Sequence, residues 1–175
     1  METLEKVYHY AHRVNHEGII LDTVVLLLFF VGKLDPLYIH EFKPTHQYTK
    51  EDFELLLKII KPFKKIILTP HIIAELSNHI KNNANDRKLH YYFSVILNYL
   101  NNKDKVDECY IKFEEWQNKD IKLLCIFGFV DLSINELSKS KKIPILTDDV
   151  NLYNYLKDKT PIIKHSVIKY SHIFL

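Results

Sequence analysis

The feature that most constrains this chain is an apolar block interrupted once by a carboxylate. Gly18-Ile19-Ile20-Leu21 leads into Asp22-Thr23, and Val24 to Val31 is again wholly apolar. A continuous apolar run opened by glycine fits a strand buried on both faces, as in a parallel sheet. Asp22 then falls where the strand ends and the chain turns into the next element. In open α/β sheets the carboxyl edge of the strands is where ligands bind. An acid there, between two apolar segments, is costly to keep ionised unless a cation meets it. A divalent metal is such a cation.

The rest of the chain alternates short apolar runs with helical patterns. Leu4, Val7, Tyr8 and Ala11 predict a short amphipathic helix within an N-terminal extension over residues 1–17. A strand at 18–22 is followed by a helix through about Gly32, and Pro36 and Pro44 mark a loop over 34–48. Thr49-Lys50-Glu51-Asp52 has the form of a capping box for a helix through Ile60, which Pro62 ends. Lys65-Ile66-Ile67-Leu68-Thr69 is a second strand, and Pro70 opens a helix with Ile72, Ile73, Leu76 and Ile80 on one side. Helical patterns resume over Arg87–Leu100 and again over Val106–Trp116. Phe129–Ser140 is another helix, Ile143–Thr147 a third strand, Leu152–Lys157 a helix and Pro161-Ile162-Ile163 a fourth strand. Strands separated by helices argue for one α/β domain over 1–175: a short parallel sheet of four to five strands, with helices on both faces.

Composition narrows the function classes. A net charge of +2 permits a nucleic-acid partner without demanding one. Cys109 and Cys125 stand far apart with no CxxC, which fits reduced thiols in a cytoplasmic protein. The N-terminus is polar, with no secretory signal, and Val24–Val31 is too short to span a bilayer. With only Gly18, Gly32 and Gly128, neither a P-loop nor a GxGxxG fingerprint can form.

Acids recur beside the strand ends. Asp22 ends the first strand and Glu75 lies on the helix after the second. Asp131 begins a helix after the apolar stretch Leu123–Val130, and Asp148-Asp149 follow Ile145-Leu146-Thr147. Parallel strands would open all of them on one edge. Clustered carboxylates without matching lysines persist only if some protonate or a cation binds. Oxygen ligands select Mg²⁺ or Mn²⁺. Each acid also has a plainer reading: helix N-caps for Asp22 and Asp149, a first-turn acid for Asp131, a helix-surface acid for Glu75.

Four segments, taken in order, resemble the PIN-domain ribonucleases: Ile20-Leu21-Asp22-Thr23, Leu68 through Leu76, Gly128-Phe129-Val130-Asp131-Leu132-Ser133 and Ile145 through Leu152. The resemblance implies a three-layer, doubly wound parallel sheet and an Mg²⁺- or Mn²⁺-dependent endonuclease acting on RNA, leaving a 5′-phosphate and a 3′-hydroxyl. It implies Asp22, Glu75, Asp131 and Asp149 as catalytic metal ligands; Asp148 matches none of that family's required acids and is a candidate for an extra outer ligand or a turn residue. Thr147 matches a commonly polar position of the T-x-D turn. Two features depart from the compact toxin members of that family: about seventeen residues before the first strand, and a longer helical stretch between Arg87 and Lys122.

Around this quartet, Thr23, Asn78, Ser133, Asn135 and Thr147 are candidates for supporting or substrate contacts. Asn135 lies four residues past Asp131 and so on the same helix face. Ten histidines form no HExxH and no Cys/His grouping, so zinc is not indicated. Lys64-Lys65, Lys81, Lys139 and Lys141-Lys142, near the acidic edge or on the adjoining helices, are candidates for phosphate contacts, with Tyr91-Tyr92 or Trp116 stacking a base. The expected partners are an RNA substrate, an antitoxin or other regulatory protein, and a second copy of the chain in a homodimer, for which the N-terminal helix offers a face. No membrane partner is expected. Two rivals stand beside the nuclease: a PIN-like module that binds RNA or protein without cutting, and a phosphotransferase of the haloacid-dehalogenase kind. The second rests on the similarity of Leu21-Asp22-Thr23-Val24 to that family's nucleophile strand, and is weakened by Val24, where a second acid is wanted.

Overall fold

Residues Gly18–Leu21 form β1, and every one of them is buried. Four consecutive apolar side chains covered on both sides require helices above and below. The computed structural model describes residues 4–13, 18–115, 121–159 and 161–164. Its elements run α1 (Leu4–Arg13), β1, α2 (Thr23–Leu34), α3 (Lys50–Ile60), β2 (Lys65–Leu68), α4 (Pro70–Asn83) and α5 (Asp86–Leu100). They continue with β3 (Val106–Glu108), α6 (Ile121–Lys141), β4 (Ile145–Thr147), α7 (Val150–Leu156) and β5 (Ile162–Lys164).

The sheet has five strands in the order β3-β2-β1-β4-β5, and all pairings are parallel. The α/β, three-layer expectation therefore holds. From β1 the chain steps outward through β2 to β3, crosses back to β4 and continues to β5. Right-handed crossovers, the near-universal hand for parallel strands, put α2–α5 on one face and α6 and α7 on the other. α2 touches α3, α4 and α5, and α6 touches α7; α4 and α6 also meet, beyond the carboxyl end of β2, where the Thr69 and Ser133 hydroxyls lie 3.2 Å apart. The direction of travel reverses between β1 and β4. That reversal opens a crevice at their carboxyl ends.

α2 is buried on nearly all sides, from Val25 through Gly32, which accounts for its unbroken apolar sequence. Phe29, Phe30 and Tyr99 of α5 pack edge to face, with ring centroids 5.1–5.6 Å apart. α3 begins with the expected capping box. The Thr49 hydroxyl accepts from the Asp52 amide at 3.3 Å, and the Asp52 carboxylate accepts from the Thr49 amide at 2.8 Å. α1 lays Val7 and Ala11 into the core and packs on α3, where the Tyr8 hydroxyl donates to the Lys58 carbonyl at 3.2 Å. Those two residues, part of the expected dimer face, are thus taken up within the chain.

Two sequence expectations are corrected. The helical reading of Val106–Trp116 gives way to a strand, β3, and a single 3₁₀ turn at Phe113–Glu115. Only Val106 of β3 points inward, so no two-residue alternation was visible. Pairing decides the matter: the Ile66 amide donates to the Lys105 carbonyl and the Cys109 amide to the Leu68 carbonyl, both at 2.8 Å. The helix expected over Phe129–Ser140 is the second part of α6, which begins at Ile121 and breaks at Gly128, where φ is +67°.

Gly32 is where α2 meets α3. A Cβ there would overlap the Phe53 ring. Gly32→Ala is expected to destabilise the protein by about 1–3 kcal/mol through overpacking, measured by urea unfolding. An unchanged midpoint would show that α3 yields without cost.

Candidate functional site

At the crevice between β1 and β4 the chain turns twice, and a carboxylate sits at each turn. Asp22 caps α2, its Oδ1 accepting from the Thr23 amide at 2.6 Å. Asp149 caps α7, its Oδ1 accepting from the Leu152 amide at 2.8 Å. The plain capping reading of both acids is therefore correct, and it leaves their outer oxygens for other work.

Thr147, the last residue of β4, ties the two turns together. Its hydroxyl donates to Asp22 Oδ2 at 2.7 Å and accepts from the Asp149 amide at 2.9 Å. On the other side, the Thr23 hydroxyl donates to Glu75 Oε2 on α4. Glu75, Thr23, Asp22, Thr147 and Asp149 thus form one continuous network drawn from four elements.

Asp131 stands in the first turn of α6 after the Gly128 break. Among the described residues no hydrogen bond or ion pair reaches its carboxylate, and none of the four acids is paired with lysine. Asp22, Glu75, Asp131, Asp148 and Asp149 line one cleft of about 300 Å³, together with Thr23, Val24, Gln47, Tyr48 and His79.

The electrostatics follow from this crowding. Burial is the largest influence on Asp22 and, with smaller contributions from Asp149 and Glu75, raises its pKa to about 6 against the Thr147 and Thr23 hydrogen bonds. Burial likewise dominates at Asp131, and with the charges of Asp22, Asp149 and Glu75 it raises that pKa to about 7. Burial and the facing Asp148 keep the Tyr48 phenol protonated far above its ordinary range.

Of the supporting residues named from sequence, Thr23 and Thr147 lie within the network. Ser133 turns away: its hydroxyl donates to the Val130 carbonyl at 2.7 Å and meets Thr69 at 3.2 Å. Asn135 is buried beside Glu136, to which its amide donates at 3.2 Å, and Asn78 is exposed on α4; neither lines the cleft. None of the lysines expected near the acidic edge lines it. Lys64 precedes β2 and Lys65 is its first residue, so both stand at the opposite edge of the sheet. Tyr92 is buried against Phe42 rather than set to stack a base, Tyr91 is exposed, and Trp116 lies outside the described residues.

Tyr48, Gln47 and His79 were missed. His79 is four residues past Glu75, so helical spacing could have found it. Tyr48 and Gln47 come from the long loop before α3, and only tertiary placement brings them to the cleft.

The donor set suits a hard cation in kind: oxygens, several acids, no lysine. As the side chains stand, no group of three or more His, Cys, Asp or Glu among the described residues is arranged to hold a metal. Ligation would take side-chain rotation, which the unbonded Asp131 and the exposed Asp149 allow. No family model, no curated protein and no solved structure matches this chain. Among the described residues no helix is long and apolar enough to cross a membrane.

Raised acid pKa values weaken the metal-free fold as pH rises. A carboxylate that binds its proton more tightly folded than unfolded contributes stability below its unfolded pKa of 3.8, and that is lost as pH climbs through about 6 for Asp22 and about 7 for Asp131. At about 1.4 kcal/mol per pKa unit, ionised Asp22 alone costs the fold about 3 kcal/mol at neutral pH. In EDTA, the wild-type midpoint is expected to fall between about pH 4 and pH 7 and to level off above. Asp22→Asn should flatten that slope and be the more stable protein at pH 8. A flat wild-type profile would mean that burial in the cleft does not hold Asp22 and Asp131 in their protonated forms.

Proposed function

We propose that this chain is a metal-dependent endoribonuclease, hydrolysing RNA phosphodiesters in the cleft between β1 and β4. The observation that supports it most is the meeting of Asp22, Glu75, Asp131 and Asp149, far apart in sequence, at one strand edge with no cation among them. These are the acids that the resemblance to PIN-domain ribonucleases singles out.

In this reading Asp22, Glu75, Asp131 and Asp149 hold Mg²⁺ or Mn²⁺, with Asp148 at the margin. The ion, when bound, lowers the pKa of a water and offsets charge on the phosphoryl group. The protein's share is placement. Thr147 fixes the outer oxygen of Asp22, and Thr23 fixes Glu75. The caps on α2 and α7 hold Asp22 and Asp149 against their helices. Asp131 faces them without a partner of its own and can take up or release a proton near neutral pH. His79 is the one side chain lining the cleft that can carry positive charge. No protein nucleophile is required.

A regulatory protein such as an antitoxin, and a second copy of this chain in a homodimer, belong to the same proposal, as does a cytoplasmic setting. One observation favours a second reading, an RNA- or protein-binding module that does not cut: the acids are not poised as a ready-made ligand set. A phosphotransferase is disfavoured, since Val24 occupies the place of its second acid.

Cleavage of single-stranded RNA should require Mn²⁺ or Mg²⁺ and stop with EDTA. Asp22→Ala and Asp149→Ala should abolish it, and Thr147→Val should slow it about 10–100-fold by releasing Asp22. Gel assays on end-labelled RNA with the purified variants decide. Full cleavage by Asp22→Ala would remove the proposal, and metal-dependent RNA binding without any cleavage by wild type would favour the binding module.

A further inference from the structure

The amino edge of the sheet carries the opposite charge. We propose that the pocket ringed there by Lys33, Lys61, Lys64, Lys65 and Lys105 binds a phosphate-bearing anion, independently of the carboxylate cleft.

The pocket has a volume of about 220 Å³ and no acidic residue lines it. Among the described residues none of its five lysines is paired with a carboxylate. The lysines come from four places that the fold brings together. Lys33 is in the last turn of α2 and Lys61 follows α3. Lys64 and Lys65 lead into β2, and Lys105 leads into β3 beside it.

Aromatic rings help hold two of the ammonium groups. Lys33 Nζ stands 5.3 Å from the centre of Phe29 and 6.0 Å from that of Tyr99, and Lys105 Nζ reaches Tyr99 at 6.0 Å. The negative carbonyl ends of α2 and α3 account for Lys33 and Lys61. They do not account for Lys65, which begins β2, or for Lys64 and Lys105, which immediately precede β2 and β3. Five like charges around one hollow repel each other, and an anion relieves that repulsion.

Size and charge indicate the ligand class. The space equals roughly seven waters of liquid volume at about 30 Å³ each, and drug-sized ligands need at least about 300 Å³. A phosphoryl group or a short polyphosphate fits this space and its charge. Lysine suits phosphate as a compact point charge. Two sources share this chemistry: a soluble polyphosphate, and the backbone of a nucleic acid with its bases outside the pocket.

The test uses the full chain, in EDTA and low salt, with inorganic tripolyphosphate. Thermal midpoints should rise by several degrees over those in sodium chloride of equal ionic strength. The triple variant Lys61→Gln, Lys64→Gln, Lys105→Gln alters exposed side chains only and should bind at least about tenfold more weakly. Arginine at Lys64 and Lys105 should restore binding, and Lys139→Gln with Lys141→Gln should leave it intact. Single-stranded RNA that competes with tripolyphosphate assigns the pocket to a nucleic-acid backbone, and failure to compete assigns it to a soluble phosphate. No stabilisation beyond that of chloride, or equal stabilisation of the triple variant, overturns the proposal. Neither result bears on RNA cleavage at the acidic edge.

Discussion

A buried carboxylate that is hydrogen-bonded and still short of charge compensation sets the terms for this fold. Asp22 receives a backbone amide and a threonine hydroxyl, which is most of what a protein offers an anion without a cation. It is nevertheless pushed towards its protonated form, because burial and its acidic neighbours outweigh two good donors. A fold selected for stability alone would place an asparagine or serine there, either of which caps a helix as well. Keeping an acid at Asp22, with Glu75, Asp131 and Asp149 around it, makes sense when something positive completes the cleft.

The sheet topology makes that crowding unavoidable. β1 and β4 are neighbours, and the chain leaves them toward opposite faces. Their two helix-capping acids therefore meet across one crevice, bridged by Thr147. α4 brings Glu75 in from β2, and the break at Gly128 starts a new helical turn that carries Asp131. The opposite edge gathers lysines where strands begin and helices end. A net charge of +2 conceals this division: five acids line the cleft at the carboxyl ends of the strands, and five lysines ring the pocket at their amino ends.

Much of this was legible from residue order. The unbroken apolar run of β1 and α2, the capping box at Thr49 and Asp52, and Pro70 opening α4 each have a local cause, and each appears where it was expected. Asp22, Glu75 and Asp149 can be placed on one edge because parallel strands end there; Asp131 follows no strand and reaches the cleft through the break in α6 at Gly128. What was not legible depends on pairing or on long-range placement. β3 is a polar edge strand with one inward residue, and only its bonds to β2 define it. Tyr48 and Gln47 arrive from a loop with no periodic signal. Ser133 and Asn135 share a helix with Asp131, yet Ser133 bonds to Thr69 and the Val130 carbonyl, and Asn135 is buried beside Glu136. Lys64 and Lys65 stand where β2 begins, which in a parallel sheet is the amino edge; the strand read over 65–69 already implies that placement, away from the acids.

The claim at the centre is that acids held this close together await a cation. Calorimetric titration of the metal-free protein with Mn²⁺, run near pH 6.5 in two buffers of different ionisation enthalpy, tests it directly. The account predicts saturable binding with release of about one proton per ion, since Asp22 and Asp131 hold protons with pKa values of about 6 and 7. Absence of binding at millimolar Mn²⁺, or binding that releases no proton and persists in Asp22→Asn, would contradict it.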